Sequence, residues 1–570
     1  MALPWTHGGA AHAQASPAQS AAPTREELRP VTEPERQAPP RLSVTGDIER
    51  SPCPLADPRF AGVHVYVNNV TYNNLKGATV AEMRAAWAPF AGTKQPVAVL
   101  CEIRDAAATI LRNKGYLAAV QVPTQRIENG EIRMEMLYAR VTAVRARGET
   151  QGAEALIARY LGRLAEDEIF DRNQAERYLL LARDIPGYNV QLTLKPAGTG
   201  PGEMIGEVTV VRQPYVVDMS IQNLSSRAVG RWGGQVRARA FGLTGMGDAT
   251  SLSFYSTADF EEQQILQASH EFRLGGEGLR IAAQFTYAWT EPDIGAGALP
   301  DPLRARTLFA TLEAGYPLVR SQAHNLSVAG GLDFVNQRVD FGAPLSRDRL
   351  RVLFARISGD AVDLSRQLPR WRLSGHVELR KGLSIFDALD CASGCAAGLG
   401  PSRLDALATA ALVRAAGVAE IALGNALGLA IAPRMQIAFD PVAAFEEFSA
   451  GNFSIGRGFD PGVISGDSGI GASVELRGPG VPIGSGQGLS LRPYVFADGA
   501  RIWNLNGAAP ATGLLSLGGG ARAALSDRLA LDANVAVPTA VPRDAAGVRA
   551  SRSVRFLMTL TARLLPWSDR

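Results

Sequence analysis

From residue 213 to the C-terminus, apolar and polar residues alternate in segments of about ten residues separated by turns. In the last segment one face consists of Val554, Phe556, Met558, Leu560, Ala562 and Leu564. Another segment, Ile281 to Trp289, ends in aromatic residues, which suits the interface of a bilayer. Because about ten alternating residues can cross a bilayer as a tilted strand, we predict an all-β transmembrane barrel of about sixteen antiparallel strands over residues 213–570.

Composition agrees with a membrane barrel and argues against membrane helices. Charged residues make up 20% of the chain, below the usual value of about 25%. The longest apolar stretch, residues 406–433, is interrupted by Arg414, Glu420 and Asn425, so it is too polar for a membrane helix. A soluble β-sandwich or propeller would also show alternating faces and remains the competing fold. The low charge and the signal-like N-terminus favour the membrane.

The same sequence offers little for catalysis, metal binding or nucleic-acid binding. The net charge of +3 argues against a strongly basic binding face. Residues 466–469, Gly-Asp-Ser-Gly, match the surroundings of a serine-protease nucleophile, but His270, His324 and His376 carry no recognisable partner motif. We therefore interpret residues 466–469 as a loop. No zinc-ligand spacing and no nucleotide-binding motif is present, so we predict a protein that is not an enzyme and uses no cofactor or metal.

The four cysteines favour an oxidising compartment. Their even number and spacing predict two disulfides, Cys53–Cys101 near the N-terminal modules and Cys391–Cys395 in a Gly-rich loop. Metal binding is the competing interpretation for the second pair, but no histidine lies nearby in the sequence. Residues 1–15 contain small-x-small sites and are interpreted as the remnant of a signal peptide, with a plain small-residue tail as the alternative.

Residues 62–212 contain an internal repeat. After a Pro-rich linker over residues 16–61, the order strand, helix, helix, strand, strand occurs in residues 62–140 and again in residues 141–212. The two α+β modules precede the barrel segment. Two unrelated α+β domains are the alternative interpretation.

One constellation in the barrel half suggests a specific contact. Arg457, Gly458 and Phe459 lie in a long break between strand-like segments, and Phe496, Asp498 and Gly499 follow on a later strand. If the apolar face of that strand contacts lipid, Asp498 points into the lumen. An unpaired carboxylate there is costly, and Arg457, flanked by glycines, is the natural partner.

These motifs resemble a known family. Residues 113–116, Asn-Lys-Gly-Tyr, and residues 122–125, Val-Pro-Thr-Gln, are similar to the first polypeptide-transport-associated (POTRA) domain of secretion transporters. Residues 185–187, Ile-Pro-Gly, are similar to the second. Together with Arg457 and Asp498, they make the chain resemble the outer-membrane transporters of two-partner secretion, the partners of exported haemolysins and haemagglutinins.

The resemblance implies a fold and a function. It implies two POTRA domains in the periplasm, a sixteen-stranded barrel in the bacterial outer membrane, and a long loop whose Arg-Gly-Phe tip pairs with the Phe-x-Asp strand. It implies that a monomer, surrounded by outer-membrane lipids, captures an unfolded exoprotein and threads it outward without nucleotide hydrolysis. A related barrel-assembly factor is the alternative, although such factors usually carry more POTRA domains.

The chain departs from the family pattern in three places. Gly456 stands where valine is usual, and the chain ends without the usual terminal aromatic residue. Family members often begin with a helix that plugs the pore. In this chain Pro30 and Pro34 interrupt the candidate stretch over residues 24–37, which argues against a continuous helix there.

Overall fold

A computed structural model describes most of the chain: residues 22–28, 53–166, 168–200, 202–293, 302–366, 368–388, 400–483, 488–505, 510–525, 528–542 and 550–566. These residues form two α+β modules followed by a closed antiparallel β-barrel. Within these ranges, no helix has the length and apolar character that a membrane crossing requires.

The first module packs a three-stranded sheet against helices. Its helices are α1 (Val80–Met83) and α2 (Val99–Asn113), and its strands are β1 (His64–Val67), β2 (Asn69–Asn73), β3 (Thr93–Pro96), β4 (Ala118–Gln121) and β5 (Glu131–Tyr138). The sheet order is β2-β5-β4, and β1 pairs with β3 separately. Helix α1 begins where Thr79 and Glu82 cap each other's backbone N–H groups.

The alternating sequence from Leu117 to Ile127 predicts one strand over these residues, but the observed strand is shorter. β4 ends at Gln121, and Pro123, two residues later, has no N–H to donate to the sheet. Beyond it, the side-chain amide of Gln125 accepts a hydrogen bond from the Arg133 N–H (2.7 Å) and donates one to the Arg133 carbonyl (2.8 Å). A side chain thus replaces a backbone partner of β5.

A disulfide closes the entry to the first module. Cys53 is bonded to Cys101 at the start of α2, which holds the short 3₁₀ turns at residues 54–60 against the helix. Cys391 and Cys395 lie outside the described residues, so their predicted disulfide remains a prediction.

The second module repeats the arrangement of the first. Its helices are α3 (Glu154–Glu166) and α4 (Arg172–Arg183), and its strands are β6 (Arg140–Gly148), β7 (Tyr188–Pro196) and β8 (Glu203–Arg212). As in the first module, a central strand pairs in parallel on one side and antiparallel on the other, in the order β6-β8-β7. The apolar faces of α3 and α4 are buried in one core with this sheet.

The two modules meet at the end of α2. Gly115 adopts a left-handed φ of +100°, and a Cβ there would lie 2.4 Å from the side chain of Asn173 in α4. The Gly115 carbonyl accepts a hydrogen bond from the Arg172 N–H (2.8 Å), and the Lys114 carbonyl accepts one from Asn173 (3.3 Å). The Asn-Lys-Gly-Tyr motif therefore serves the junction between the modules.

Helix α4 also docks the second module onto the barrel. The Asp184 carboxylate, just after α4, forms a bidentate pair with Arg320 at 2.6 and 2.7 Å. Arg177 donates to the Pro317 carbonyl (3.2 Å), and Tyr178 donates to Glu277 (3.0 Å). Since these partners lie at or beside two chain reversals on the same side, near residues 275–278 and 321–323, the second module is fixed at this end of the barrel, which we call the near end.

The barrel has sixteen main strands and one two-residue extension. The strands are β9 (Tyr215–Gln222), β10 (Gly233–Phe241), β11 (Ala249–Thr257), β12 (Gln263–Leu274), β13 (Leu279–Thr290), β14 (Leu303–Arg320), β15 (His324–Phe341), β16 (Ala343–Val362), β17 (Trp371–Gly382), β18 (Ala411–Leu423), β19 (Leu427–Ala438), β22 (Ser468–Arg477), β24 (Leu489–Trp503), β25 (Thr512–Leu525), β26 (Leu529–Ala540) and β27 (Arg555–Leu565), with β23 (Val481–Pro482) as the extension. β20 (Phe448–Ala450) and β21 (Ile464–Gly466) form a separate hairpin. Each main strand pairs antiparallel with its neighbour, and β27 closes the barrel on β9. The predicted fold class is confirmed, and closure excludes the open sandwich.

The alternation of side chains gives the barrel an apolar outside and a polar lumen. On β24, Val495 faces outward and is 56% exposed, whereas Phe496 and Asp498 face the lumen and are buried. The outward aromatic residues of β13, Phe285 and Trp289, are also exposed. The faces predicted from the period of two are therefore the faces observed.

Candidate functional site

Two segments that are not barrel strands lie in the lumen. We call residues 439–467, which connect β19 to β22, the inward loop, and residues 22–28 the N-terminal segment. The inward loop contains the β20–β21 hairpin, whose apolar side chains pack against Ile502 and Leu514 of the barrel. Both segments also contact the barrel wall through charged side chains.

Arg457, at the tip of the inward loop, contacts Asp498 on β24 through three hydrogen bonds. Its Nε lies 2.9 Å from one carboxylate oxygen of Asp498, its Nη2 lies 2.8 Å from the other, and its backbone N–H donates to the carboxylate at 3.0 Å. Asp498 is 1% exposed, so its charge depends on this partner. Ser473 on β22 donates to the same carboxylate at 2.7 Å.

The lumen wall extends this pair into a larger ionic group. Arg457 Nη1 lies 2.9 Å from Glu475 on β22, and Glu475 is shared with Arg477 (3.1 Å) and Arg522 (3.0 Å). Sequence analysis missed Glu475. The signal was available, because Ser473, Glu475 and Arg477 alternate on the polar face of one strand.

The two phenylalanines of the motifs do not pack as one pair. Phe496 lies under the guanidinium of Arg457, with the Cζ atom 3.6 Å from the ring centroid. Phe459 is buried in a different cluster, with Ile455 and Leu514. Phe496 therefore supports the arginine through a cation–π contact, whereas Phe459 fixes the loop backbone beside it.

Glycines allow the loop to approach the wall closely. Gly456 has a φ of +120°, and a Cβ there would lie 2.8 Å from Leu514, so the valine usual in the family would be strained in this backbone. A Cβ at Gly458 would lie 2.8 Å from the Cβ of Ser516. Gly499 occupies an outward position of β24 and takes no part in the contact.

A second arginine connects the loop tip to the closing strands of the barrel. Arg555 on β27 is buried, donates to the Phe459 carbonyl and lies 2.9 Å from the Asp460 carboxylate. The Nη2 atom of Arg555 donates to the carbonyls of Leu224 (3.5 Å) and Ser225 (3.3 Å), just beyond β9. The position of the loop is thus linked to the seam between β9 and β27.

The Gly-Asp-Ser-Gly sequence supports the base of the inward loop. Asp467 is buried and lies 2.6 Å from Arg403, and it also accepts the N–H groups of Val442 and Leu505, each at 2.9 Å. The Ser468 hydroxyl is buried and accepts the Ala438 N–H at 3.0 Å. These contacts support a structural role for residues 466–469, but the predicted loop is not observed, because Gly466 ends β21 and Ser468 begins β22.

The N-terminal segment lies between the inward loop and the opposite wall. Arg25 contacts Asp333 on β15 (3.2 Å) and Glu446 in the inward loop (3.1 Å). Glu26 contacts Arg434 on β19 at 2.7 Å, and the Leu28 carbonyl accepts a hydrogen bond from a glutamine of β12. The described part of the segment contains a single turn over residues 25–28. Residues 16–61 were predicted as a linker with a possible plug segment, and these contacts were not predicted.

The carboxylates that receive Arg25 already have another cation. Arg380 on β17 is 1% exposed and contacts Asp333 (2.7 Å), Glu378 (2.9 Å) and Glu446 (2.8 Å). Arg25 is therefore an additional cation on a group that is paired without it. Across the described ranges, no cluster of side chains forms a metal site.

Comparisons with known proteins place this geometry in a family. The profile of the haemolysin secretion/activation proteins ShlB/FhaC/HecB matches residues 208–523. The heme/hemopexin transporter protein HuxB of Haemophilus influenzae is 24% identical over 179 residues, a match that covers 30% of this chain and only 30% of that protein.

Solved structures share the whole fold. CdiB from Escherichia coli superimposes with a TM-score of 0.73 at 16% identity, covering 91% of this chain and 94% of CdiB. CdiB from Acinetobacter baumannii gives a TM-score of 0.64 at 17% identity, covering 94% and 95%. Since the profile match spans more than half of the sequence, the chain belongs to the haemolysin secretion/activation protein family ShlB/FhaC/HecB, as a β-barrel of the bacterial outer membrane with its modules in the periplasm.

Proposed function

We propose that this protein exports an exoprotein across the outer membrane by two-partner secretion. The observation that carries the proposal is the filling of the lumen. Two of the described segments occupy the barrel, and side-chain ion pairs connect each of them to the wall. Such contacts can be exchanged without breaking the strand ladder, so a route for an extended chain opens inside an intact barrel.

In this proposal Arg457 and Asp498 hold the inward loop in its working position. Gly458 allows the close approach, Phe459 anchors the backbone, and Phe496 supports the guanidinium. The role of these residues is to position the loop, since none of them has chemistry to perform. Gly499 has no role beyond its place in the strand.

Residues 62–140 and 141–212 act as the receptor in the periplasm. Each module has a three-stranded sheet whose outer strands pair on one side only among the described residues. An unfolded exoprotein can add as a further strand, and main-chain hydrogen bonds make that binding tolerant of sequence. The docking of α4 on the barrel holds the second module at the entrance. The transporter works as a monomer among outer-membrane lipids, with no nucleic acid and no nucleotide hydrolysis.

The proposal is tested by deleting the gene in the host and comparing the proteins of the culture medium by mass spectrometry. We expect at least one large exoprotein to disappear from the medium, and the intact gene to restore it. A variant that lacks residues 62–212 should insert as a conducting barrel and export nothing.

The same strain separates export from barrel assembly. If the protein were an assembly factor, its loss would lower the amounts of unrelated outer-membrane barrels. We expect those amounts to be unchanged. Normal export in the deletion strain, or a general loss of barrels, would contradict the proposal.

A further inference from the structure

The outward faces of β14, β15 and β16 change abruptly from apolar to cationic. Towards the near end the outward positions are apolar or glycine over about ten residues per strand, the length of a tilted membrane crossing. These positions are Leu308, Ala310, Leu312, Ala314, Tyr316 and Leu318 on β14, Leu326, Val328, Gly330, Leu332 and Phe334 on β15, and Leu353, Ala355, Ile357, Gly359 and Ala361 on β16. Beyond this band come Arg304 and Arg306, then Asn336 and Arg338, then Arg351, Arg349 and Arg347.

Three of these arginines are direct neighbours across the strands. Arg306 is opposite Arg338, and Arg338 is opposite Arg347. Side chains at directly opposite positions lie about 5 Å apart at their Cβ atoms, and like charges placed so are destabilising. A row of three guanidinium groups therefore requires negative charge to compensate it.

The protein supplies only part of that charge. Arg338 contacts Asp340 at 2.7 Å, and Arg304 contacts Glu291 at 2.9 Å. Among the described residues, Arg306 and Arg347 have no acidic partner at ion-pair distance. As far as the described ranges go, the two ends of the row are thus open to an external anion.

The position of the arginine row along the barrel axis indicates where that anion lies. Trp289, at the end of the outward aromatic face of β13, is directly opposite Arg306. Aromatic residues of barrels mark the interface of the bilayer. Since the periplasmic modules are docked at the near end, this interface belongs to the outer leaflet, and the arginines lie at the level of its head groups.

We propose that this surface, made of Arg306, Arg338 and Arg347, binds the phosphate groups of lipopolysaccharide, the glycolipid of the outer leaflet. Guanidinium groups bind phosphate oxygens in a bidentate manner. The acyl chains of the same molecule fit the apolar band directly below, where Leu312 is 55% exposed and Leu353 is 51% exposed. A phosphorylated lipid can bind both the arginine row and the apolar band, whereas a soluble anion can bind only the arginine row.

The test uses the full-length protein in mild detergent, titrated with lipopolysaccharide and followed by native mass spectrometry. The variants are Arg306→Gln, Arg347→Gln and the double variant. Arg501→Gln is the matched control, because Arg501 also faces outward at the same end but lies opposite Ile470 and Gly513, which carry no charge. We expect the double variant to weaken binding by about tenfold or more, and the control to change it by less than about twofold.

Two further ligands distinguish a lipid site from a general anion site. Lipopolysaccharide without its lipid A phosphates should bind the wild type as weakly as intact lipopolysaccharide binds the double variant. Millimolar inorganic phosphate should not displace the intact lipid. Equal binding by the double variant and the control, or displacement by inorganic phosphate, would overturn the proposal.

A charge-preserving variant distinguishes the loss of positive charge from misfolding as the cause of weaker binding. Arg306→Lys/Arg347→Lys keeps the positive charge, so it should retain most of the binding, and all variants should keep the heat-modifiable migration of a folded barrel. Loss of binding in the lysine variant with a folded barrel would contradict a site based on charge. The inference depends on the location of the barrel and does not depend on what it exports.

Discussion

The inward loop and the N-terminal segment are both held in the lumen by an arginine, but the carboxylates that receive these arginines differ. Asp498 is buried, and Arg457 is its only ion-pair partner among the described residues. Asp333 and Glu446, which receive Arg25, are also bound by Arg380.

The two segments therefore differ in what their withdrawal costs the barrel. Withdrawing Arg457 leaves the buried Asp498 carboxylate without its partner, and breaking a buried pair in this way costs roughly 3–5 kcal/mol. Withdrawing Arg25 leaves no carboxylate without a cationic partner, since Arg380 remains. The loop is therefore a fixed part of the resting structure, whereas the N-terminal segment is removable.

The largest effect is expected from Arg457→Ala or Asp498→Ala. Either change should lower export at least about tenfold, because the inward loop loses an anchor of roughly 3–5 kcal/mol. Export is measured as exoprotein in the medium, and heat-modifiable migration shows that the barrel still assembles. The double variant should be little worse than either single change, since the two residues act as one unit. Additive losses would mean that the residues work separately.

A smaller effect is expected from Arg555→Gln. This change removes the contacts to the Phe459 carbonyl and Asp460, which we value at about 1–3 kcal/mol. Cysteines at Ile221 and Leu560, which are opposite each other across the seam, should then cross-link in lower yield than in the parent. The pair Ala533 and Met558, on the neighbouring seam, is the control. If Arg555→Gln lowers the cross-linking yield at neither pair, Arg555 does not link the position of the inward loop to the closure of the barrel.

The smallest effect on stability is expected from Arg25→Ala. Its carboxylate partners keep Arg380, so the free energy of barrel unfolding should change by less than about 1 kcal/mol. The conductance in planar bilayers should nevertheless rise, because the N-terminal segment leaves the lumen more often. Arg380→Gln is the contrasting variant and should destabilise the barrel by several kcal/mol. A large loss of stability from Arg25→Ala alone would contradict the conclusion that the N-terminal segment is less important for barrel stability than the inward loop.

Residues with a local pattern could be predicted from the sequence. The alternation on β24 showed that Asp498 faces the lumen, and the glycines beside Arg457 showed that the loop could approach it. The apolar spacing from Ile103 to Leu111 and the following Gly115 are local signals that predict a helix over residues 99–113, and α2 has these bounds.

Contacts between distant parts of the chain could not be predicted. Arg25 and Asp333 are 308 residues apart, and nothing in the Pro-rich surroundings of Arg25 indicates burial. The packing of Phe459 away from Phe496 depends on the path of the loop, which residue types do not specify. Arg380 was missed because an arginine on the polar face of a strand is ordinary until three carboxylates converge on it.

The disulfide has a consequence for the motion of the N-terminal segment. It fastens Cys53 to the first module, and 24 residues separate Cys53 from Leu28, so the segment can move at most about 90 Å from that attachment. A segment that leaves the lumen stays within that radius, at an effective concentration in the millimolar range. Re-entry is then an intramolecular event, so the same few residues can return to their contacts in the lumen.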